Sequence, residues 1–488
     1  MINSTKKVHF IAVGGAVMHN LALALHQKGY QVSGSDDEIY EPAKYRLEKV
    51  GILPKAFGWF PDKINDQLDA IILGMHARKD NPELLRAIEL GLKVYSFPEY
   101  VYEQSVQKQR VVIAGSHGKT SITSIILHVL AFHKRNFDYL VGAQIEGFDL
   151  MVKLTEDAPI IIIEGDEYMS SAIEMKSKFL FYHPHIVLIS GVAWDHFNVF
   201  PTFDSYVKAF EELADGIDKA GTLLFDETDD IVKVIGEKDR ADVQKLPYKK
   251  HPYEVKNGKV FLKTPNGELQ IELFGEHNMK NLQGAKLILE KLGITEEMFY
   301  EAIQTFKGAS KRLETLGSNS NTHIYRDFAH APSKVGATTN ATKELYPKRK
   351  LVACYELHTF SSLNKEFLPH YDQKLADADL AVVFFSPHTL EMKKMPALDM
   401  EEIKTFFGRE DLLVFTDAKE LEDFLKSQNW FQSNLLLMSS GTFGGMDFAK
   451  FAQEILASPV TEVFPELKPE KEKKWNGILG TIKGKFKK

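Results

Sequence analysis

Residues Gly115-Ser116-His117-Gly118-Lys119-Thr120, followed by Ser121, lie between an apolar run, "VVIA", and a helix-forming run, "SIILHVL". A glycine turn at a helix N-terminus offers backbone N–H groups and partial positive charge to phosphate oxygens. In such a turn Lys119 supplies a full charge for β- and γ-phosphates, and Thr120 a hydroxyl for Mg2+. The usual spacing, G-x-x-x-x-G-K-[ST], is not met. Its first glycine falls on Ile113, so the loop is two residues short. An ordinary strand-to-helix turn would also carry glycines. The order of strand, glycine turn and helix favours phosphate binding.

Acidic and amide residues follow at the ends of later apolar runs. "IIIIEGDEY" brings Glu164, Asp166 and Glu167 to one strand end, where hard carboxylate oxygens suit Mg2+ beside a nucleotide. "WDH" puts Asp195 and His196 after "HIVLIS", a pairing that ligates metal or orients a substrate. Asn278 and Asn281 are three apart, hence on one face of a helix, and side-chain amides pair with an adenine edge. Arg312 is a delocalised cation for phosphates, and Asp327 closes a further strand. A polar loop, a helix cap or a solvated charge pair would account for each of these taken singly.

The elements that must hold these residues form three alternating series. "KVHFIAVGG", "YQVSGSD", "DAIILGM" and "KVYSFPEY" read as strands of a first parallel α/β sheet. "VVIAG", "PIIIIEGDE", "IVLISGVAWDH" and "GTLLFDE" read as a second, with a helical region from "FGEHNMKN" onward. "HIYRDFA", "KLVACYEL", "ADLAVVFFS", "DLLVFTD" and "NLLLMSSGTFGG" read as a third. A chain of 488 residues suits about three domains at roughly 150 residues each. The expected division is 1–108, 109–315 and 316–466, with a basic tail at 467–488.

Bulk composition narrows the class. Hydrophobic content of 44% and charged content of 26% are those of a soluble globular protein. A net charge of −7 argues against nucleic acid as a partner, and the single cysteine, Cys354, cannot form an internal disulfide. The apolar runs are far short of the ~20 residues that span a bilayer, so a cytoplasmic protein is expected. The lysine-rich end of the chain reads as a solvated tail, with weak contact to an anionic membrane surface as the alternative.

Taken together and in this order, the segments resemble the Mur ligase family of ATP-dependent amide-forming enzymes. The family's short loop, G-T-H-G-K-T, is matched by G-S-H-G-K-T at 115–120. E-x-D-E, D-H, H-N-x-x-N, R-x-E and D-F-A-H elements follow in family order. The resemblance implies a Rossmann-like first domain for the UDP end of a nucleotide sugar, using Gly14, Gly15, Ser35 and Asp36. It implies a central P-loop-type domain for ATP and Mg2+, and a Rossmann-like third domain for the incoming amine. Gly115 to Ser121, Asn278, Asn281, Arg312 and Asp327 carry over to ATP. Thr120, Glu164 and His196 carry over to Mg2+; Lys119, Glu164, His196 and Arg312 to catalysis; and His330 and His358 to the amine side. In the family a substrate carboxylate takes the γ-phosphate and the amine then displaces phosphate. Such a reaction needs concentrated positive charge and tight positioning, and closure of the third domain onto the second is expected to complete the site.

Departures from the pattern bear on which amine is used. Phe210, four residues after Tyr206, occupies the place of a lysine that is carbamylated in several relatives. That leaves the branch adding L-alanine to UDP-N-acetylmuramate and the branch attaching the tripeptide L-Ala-γ-D-Glu-meso-diaminopimelate. Residues 164–184 and "GTFGG" resemble the tripeptide branch more. Ala12 stands for a family glycine and Ala331 for a second histidine, and no arginine falls within "ELHTFSSLN" at 356–364. Two rivals from other classes are a nicotinamide-dependent oxidoreductase, prompted by "AVGGAVM" and Asp36, and an inactive nucleotide-binding paralogue. The first leaves the Gly-Lys-Thr loop unexplained, and retention of Lys119, Glu164 and His196 argues against the second.

Overall fold

The computed structural model describes residues 5–171, 173–174, 176–194, 199–309 and 312–461. Asp195, His196 and the basic tail lie outside them. Every strand anticipated above forms, and the strands fall into three separate parallel-rich sheets.

The first sheet is wholly parallel, in the spatial order Gln31–Ser35, Lys7–Ile11, Ala70–Leu73, Val94–Ser96. The central sheet runs Gln244–Tyr248, Thr222–Asp226, Ile186–Ile189, Gln109–Ala114, Ile160–Glu164, Asp138–Leu140, with Val152–Lys153 antiparallel at its edge. The third runs Glu314–Ser318, Thr322–Asp327, Ser433–Met438, Lys350–Leu357, Leu380–Phe385, Leu413–Phe415, and its first strand is antiparallel. Strands covered on both faces read as unbroken apolar runs. Val111, Val112, Ile113 and Ala114 accordingly have no exposed surface.

The central sheet's topology positions the phosphate loop. Gln109–Ala114 is flanked by Ile160–Glu164 on one side and Ile186–Ile189 on the other. Successive crossovers therefore depart in opposite directions from this strand. Ligands in open parallel sheets bind at the carboxyl ends of strands beside such a reversal.

Two apolar clusters join the sheets. One runs from Val111 and Leu188 through the helix Glu276–Lys291 to Tyr325, Leu351 and Tyr355 of the third sheet. Another links Val8 and Phe10 of the first sheet with Val112, Ile161 and Val187 on the central sheet's opposite face. Polar ties add register: Asn20 Oδ1 accepts from Met151 N at 2.9 Å, and Arg46 donates to Gln144 Oε1 at 3.1 Å.

A small antiparallel sheet, Tyr253–Lys256, Lys259–Thr264 and Gly267–Ile271, was not anticipated. Its signal is present as two Asn-Gly pairs between alternating apolar residues. Asn257 and Gly258 both adopt positive φ, as a tight hairpin turn requires. No helix among the described residues is long and apolar enough to cross a membrane.

Candidate active site

The strand Gln109–Ala114 ends at Gly115, and the helix Lys119–Phe132 starts just after Gly118. Gly118 has φ of 80° and gives no side-chain cap, so the helix's first N–H groups face outward. Both glycines are required by contact as well as conformation. A Cβ on Gly115 would collide with Ser190 Oγ, and one on Gly118 with Asn281 Oδ1.

Neighbouring loops brace this turn. Ser190 Oγ donates to the carbonyl of His117, and Ser116 Oγ accepts from Ala193 N at 2.9 Å. His117 packs against Gly191, which has no room for a side chain. Burial first, then the charge of Lys334, hold the His117 imidazole down at about 4, so it is neutral at pH 7. His117 therefore shapes the loop without adding charge to it.

Charge in the site is concentrated and balanced. Lys119 Nζ donates to Glu167 Oε2 at 2.8 Å and to the carbonyl of Gly115 at 2.6 Å. Burial opposes its protonation, but Glu167, Asp166 and Glu164 outweigh it and raise its pKa above the usual lysine value. Thr120 Oγ1 donates to Glu164 Oε1 at 2.7 Å, and Gly142 N to Glu164 Oε2 at 2.9 Å. Burial and the charge of Asp166 push the Glu164 carboxyl upward, against those two donors and Lys119. A cation arriving beside Glu164 would relieve that strain in charge.

Glu167 is turned to Lys119 and to the Tyr206 hydroxyl at 3.2 Å, and so is a partner of the lysine before it is a metal ligand. Phe210, fully buried, packs between Phe179 and Tyr206 in place of any charged group.

A cavity of about 750 Å³ opens over this loop. It is lined by Ser116 to Ser121, Glu164, Asn278, Asn281, Arg312, Asp327 and His330. Residues from widely separated motifs thus share one space. The helix Pro332–Leu345 closes it from the third sheet by packing on the helix Glu276–Lys291, where a Cβ on Gly275 would collide with Ala341.

Asp327 accepts from Leu313 N at 2.7 Å, and burial raises its pKa against the lowering effect of Arg312. Arg312 lies over the Phe328 ring at 5.0 Å. Asn278 donates to the carbonyl of Phe274 at 2.9 Å, and Asn281 abuts Gly118.

Other anticipated residues, His330 excepted, lie apart from the cavity lining. Gly14, Gly15, Ser35 and Asp36 gather at the carboxyl end of the first sheet. Gly14 N donates to Asp36 Oδ2 at 2.6 Å, and Lys63 donates to Ser35 Oγ at 3.2 Å. His358, at the end of the strand Lys350–Leu357, does not line the cavity. It lies 3.7 Å from Glu356, whose buried carboxylate accepts from Ser439 Oγ and from Phe443 N. His330 Nδ1 is 2.9 Å from the carbonyl of Phe328. Sequence reasoning missed Ser190, Gly142 and Lys334, each a single residue outside any spaced motif, and gave no role to His277 and Lys280, which lie within H-N-x-x-N.

Residues 7–108 match the model described as "Mur ligase family, catalytic domain", and residues 113–289 match the Mur ligase middle domain. A UDP-N-acetylmuramate–L-alanine ligase of Lactobacillus acidophilus is 32% identical over 391 residues, covering 78% of this chain and 85% of the relative. The protein of that name from Lactobacillus delbrueckii subsp. bulgaricus is 32% identical over 435 residues, 86% of this chain and 93% of the relative.

Among solved structures, a UDP-N-acetylmuramate-alanine ligase from Thermotoga maritima has a TM-score of 0.64 at 21% identity. It covers 92% of this chain and 98% of its own. A murein peptide ligase from Psychrobacter arcticus has a TM-score of 0.60 at 19% identity, covering 93% and 100%. These two likenesses concern the fold alone. On the family models and on relatives above 30% identity, the chain belongs to the Mur ligase family of ATP-dependent, amide-bond-forming ligases.

Proposed function

We propose that this chain uses ATP and Mg2+ to join the carboxylate of UDP-N-acetylmuramate to the amine of L-alanine. The observation that carries the reading is the single cavity in which Lys119, Thr120, Glu164, Arg312 and Asp327 meet. In it the γ-phosphate passes to a carboxylate oxygen as ADP departs. The amine nitrogen then attacks the acyl carbon, and phosphate leaves with that oxygen. Lys119 exchanges Glu167 for the phosphates, Arg312 adds delocalised charge, and Asp327 faces the ribose. Asn278 and Asn281 border the base. These groups position and neutralise; no strong base is needed.

Thr120 and Glu164 fit Mg2+, which commonly takes one or two carboxylates together with substrate phosphates and water. When bound, the ion neutralises charge on the transferring phosphate. Among the described residues no group of three or more His, Cys, Asp or Glu is set to hold a metal. A site shared with the nucleotide accords with that, and His196 is the proposed further ligand. The working division is 1–108 for the UDP sugar, 109–315 for ATP and 316–466 for the amine.

L-alanine is placed first because relatives matched over 85–93% of their own length carry that name. Tripeptide attachment, expected from residues 164–184, is the second reading. It rests on that segment and on "GTFGG", while the loop at 356–364, which lacks arginine and sets His358 beside buried Glu356, leaves the amine open. Incubation with ATP, Mg2+ and UDP-N-acetylmuramate, with either L-alanine or L-Ala-γ-D-Glu-meso-diaminopimelate, separates them. Product by mass spectrometry with L-alanine alone is the expected result. Product only with the tripeptide overturns the first reading in favour of the second.

A further inference from the structure

Of the cations lining the cavity, Lys119 is held by Glu167 at 2.8 Å, and Lys280 lies 3.3 Å from Asp226. Arg312 is drawn to Asp327 and lies over Phe328. All three belong to the segments before the third sheet's parallel strands. Lys334 comes from the other side. It occupies the first turn of the helix Pro332–Leu345 and is half-buried. Ala337 and Thr338, on the same helical face, also line the cavity. Thr338 lies 3.5 Å from Asp327 Oδ1, which fixes that face over the end of the third sheet.

We propose that Lys334 is a second phosphate-binding cation, presented by the third sheet's helix across the cavity from Lys119. This inference rests on the reading of the cavity as an ATP site. Two further observations favour phosphate over base or ribose as its target. The charge of Lys334 is felt at His117, within the phosphate loop itself, where it ranks next after burial in suppressing protonation. Glu164 and Asp166 also line the cavity, so a polyanion entering it is favoured by added positive charge there.

The test is equilibrium binding of adenosine, ADP and ATP, with Mg2+, to the full chain and to Lys334→Met and Lys334→Arg. A charge-assisted hydrogen bond to phosphate predicts about a ten- to hundred-fold loss of ATP affinity in Lys334→Met. Adenosine affinity stays unchanged, and Lys334→Arg recovers most of the loss. Equal losses for adenosine and ATP overturn the inference, as does wild-type ATP affinity in Lys334→Met. A wild-type protein that binds no ATP overturns both the inference and the reading beneath it.

Discussion

The chain builds two strand–turn–helix units over sheet ends and gives them opposite charge. At Gly115–Gly118 the turn is followed by Lys119, whose balancing carboxylate, Glu167, comes from a separate segment. At Ala12–Gly15 the turn meets Asp36, which already holds the N–H of Gly14 at 2.6 Å. The first turn leaves its helix N-terminus open to an incoming anion. The second has part of that capacity occupied by its own carboxylate, and so suits hydroxyl and N–H donors of a ligand better than phosphate. One backbone plan thus serves two chemistries, decided by one side chain at each turn.

The largest expected effect lies at the first turn. Lys119→Ala removes at least ~10²-fold of kcat/KM for phosphate release, since a phosphate-clamping cation is lost. A variant with near-native activity would make the two turns equivalent. Glu167→Gln comes next. It leaves a buried lysine charge without its carboxylate, and a cost of about 3 kcal/mol in denaturant unfolding is expected. Saturating ATP restores much of that, because phosphates replace the lost partner. Destabilisation that ATP does not reduce would show that Lys119 does not turn to the nucleotide.

At the second turn, burial and then the neighbouring Asp37 push Asp36 up to about 6, against the donor at Gly14. The folded pKa lies above the unfolded one, so the native state binds the extra proton between about pH 4 and 6. This group's contribution to stability therefore falls as pH rises through that window and stays lost above it. Asp36→Asn keeps an acceptor for Gly14 and removes the titration. Its stability is expected to gain on the wild type as pH rises from about 4 to 6, by on the order of 1 kcal/mol, read from thermal unfolding at each pH. Parallel pH profiles would contradict this. The smallest effect is at Ala12, which adopts φ of 67°, a left-handed conformation costly for a residue with Cβ. Ala12→Gly is expected to stabilise by about 0.5 kcal/mol, the relief being partly offset by glycine's greater freedom when unfolded, read from thermal unfolding.

The same contrast governs what the sequence made legible. The phosphate turn, Glu164 and Asp327 stand at strand ends in a fixed order, and their convergence follows from parallel topology; Arg312 enters from the segment before the antiparallel strand Glu314–Ser318. Strands such as "VVIA" and "IIII" are buried on both faces and announce themselves. The small sheet at 253–271 was readable from its two Asn-Gly turns, although its half-exposed strands carry a weaker apolar pattern. Ser190, Gly191 and Lys334 were not readable. Ser190 and Gly191 touch the phosphate loop far away in sequence, Lys334 reaches the cavity from the third sheet's helix, and a lone serine, glycine or lysine has no spacing to reveal it. The amine's identity is obscure for a related reason: Glu356, His358 and Ser439 meet only when two loops of the third sheet pack.

Transfer of isotope from substrate carboxylate to phosphate tests the central claim most directly. UDP-N-acetylmuramate labelled with 18O in its carboxylate, supplied with ATP, Mg2+ and the accepted amine, should release inorganic phosphate carrying one labelled oxygen per amide formed. Amide formation with unlabelled phosphate would contradict carboxylate attack on the γ-phosphate, and with it the role given to the cavity over Lys119.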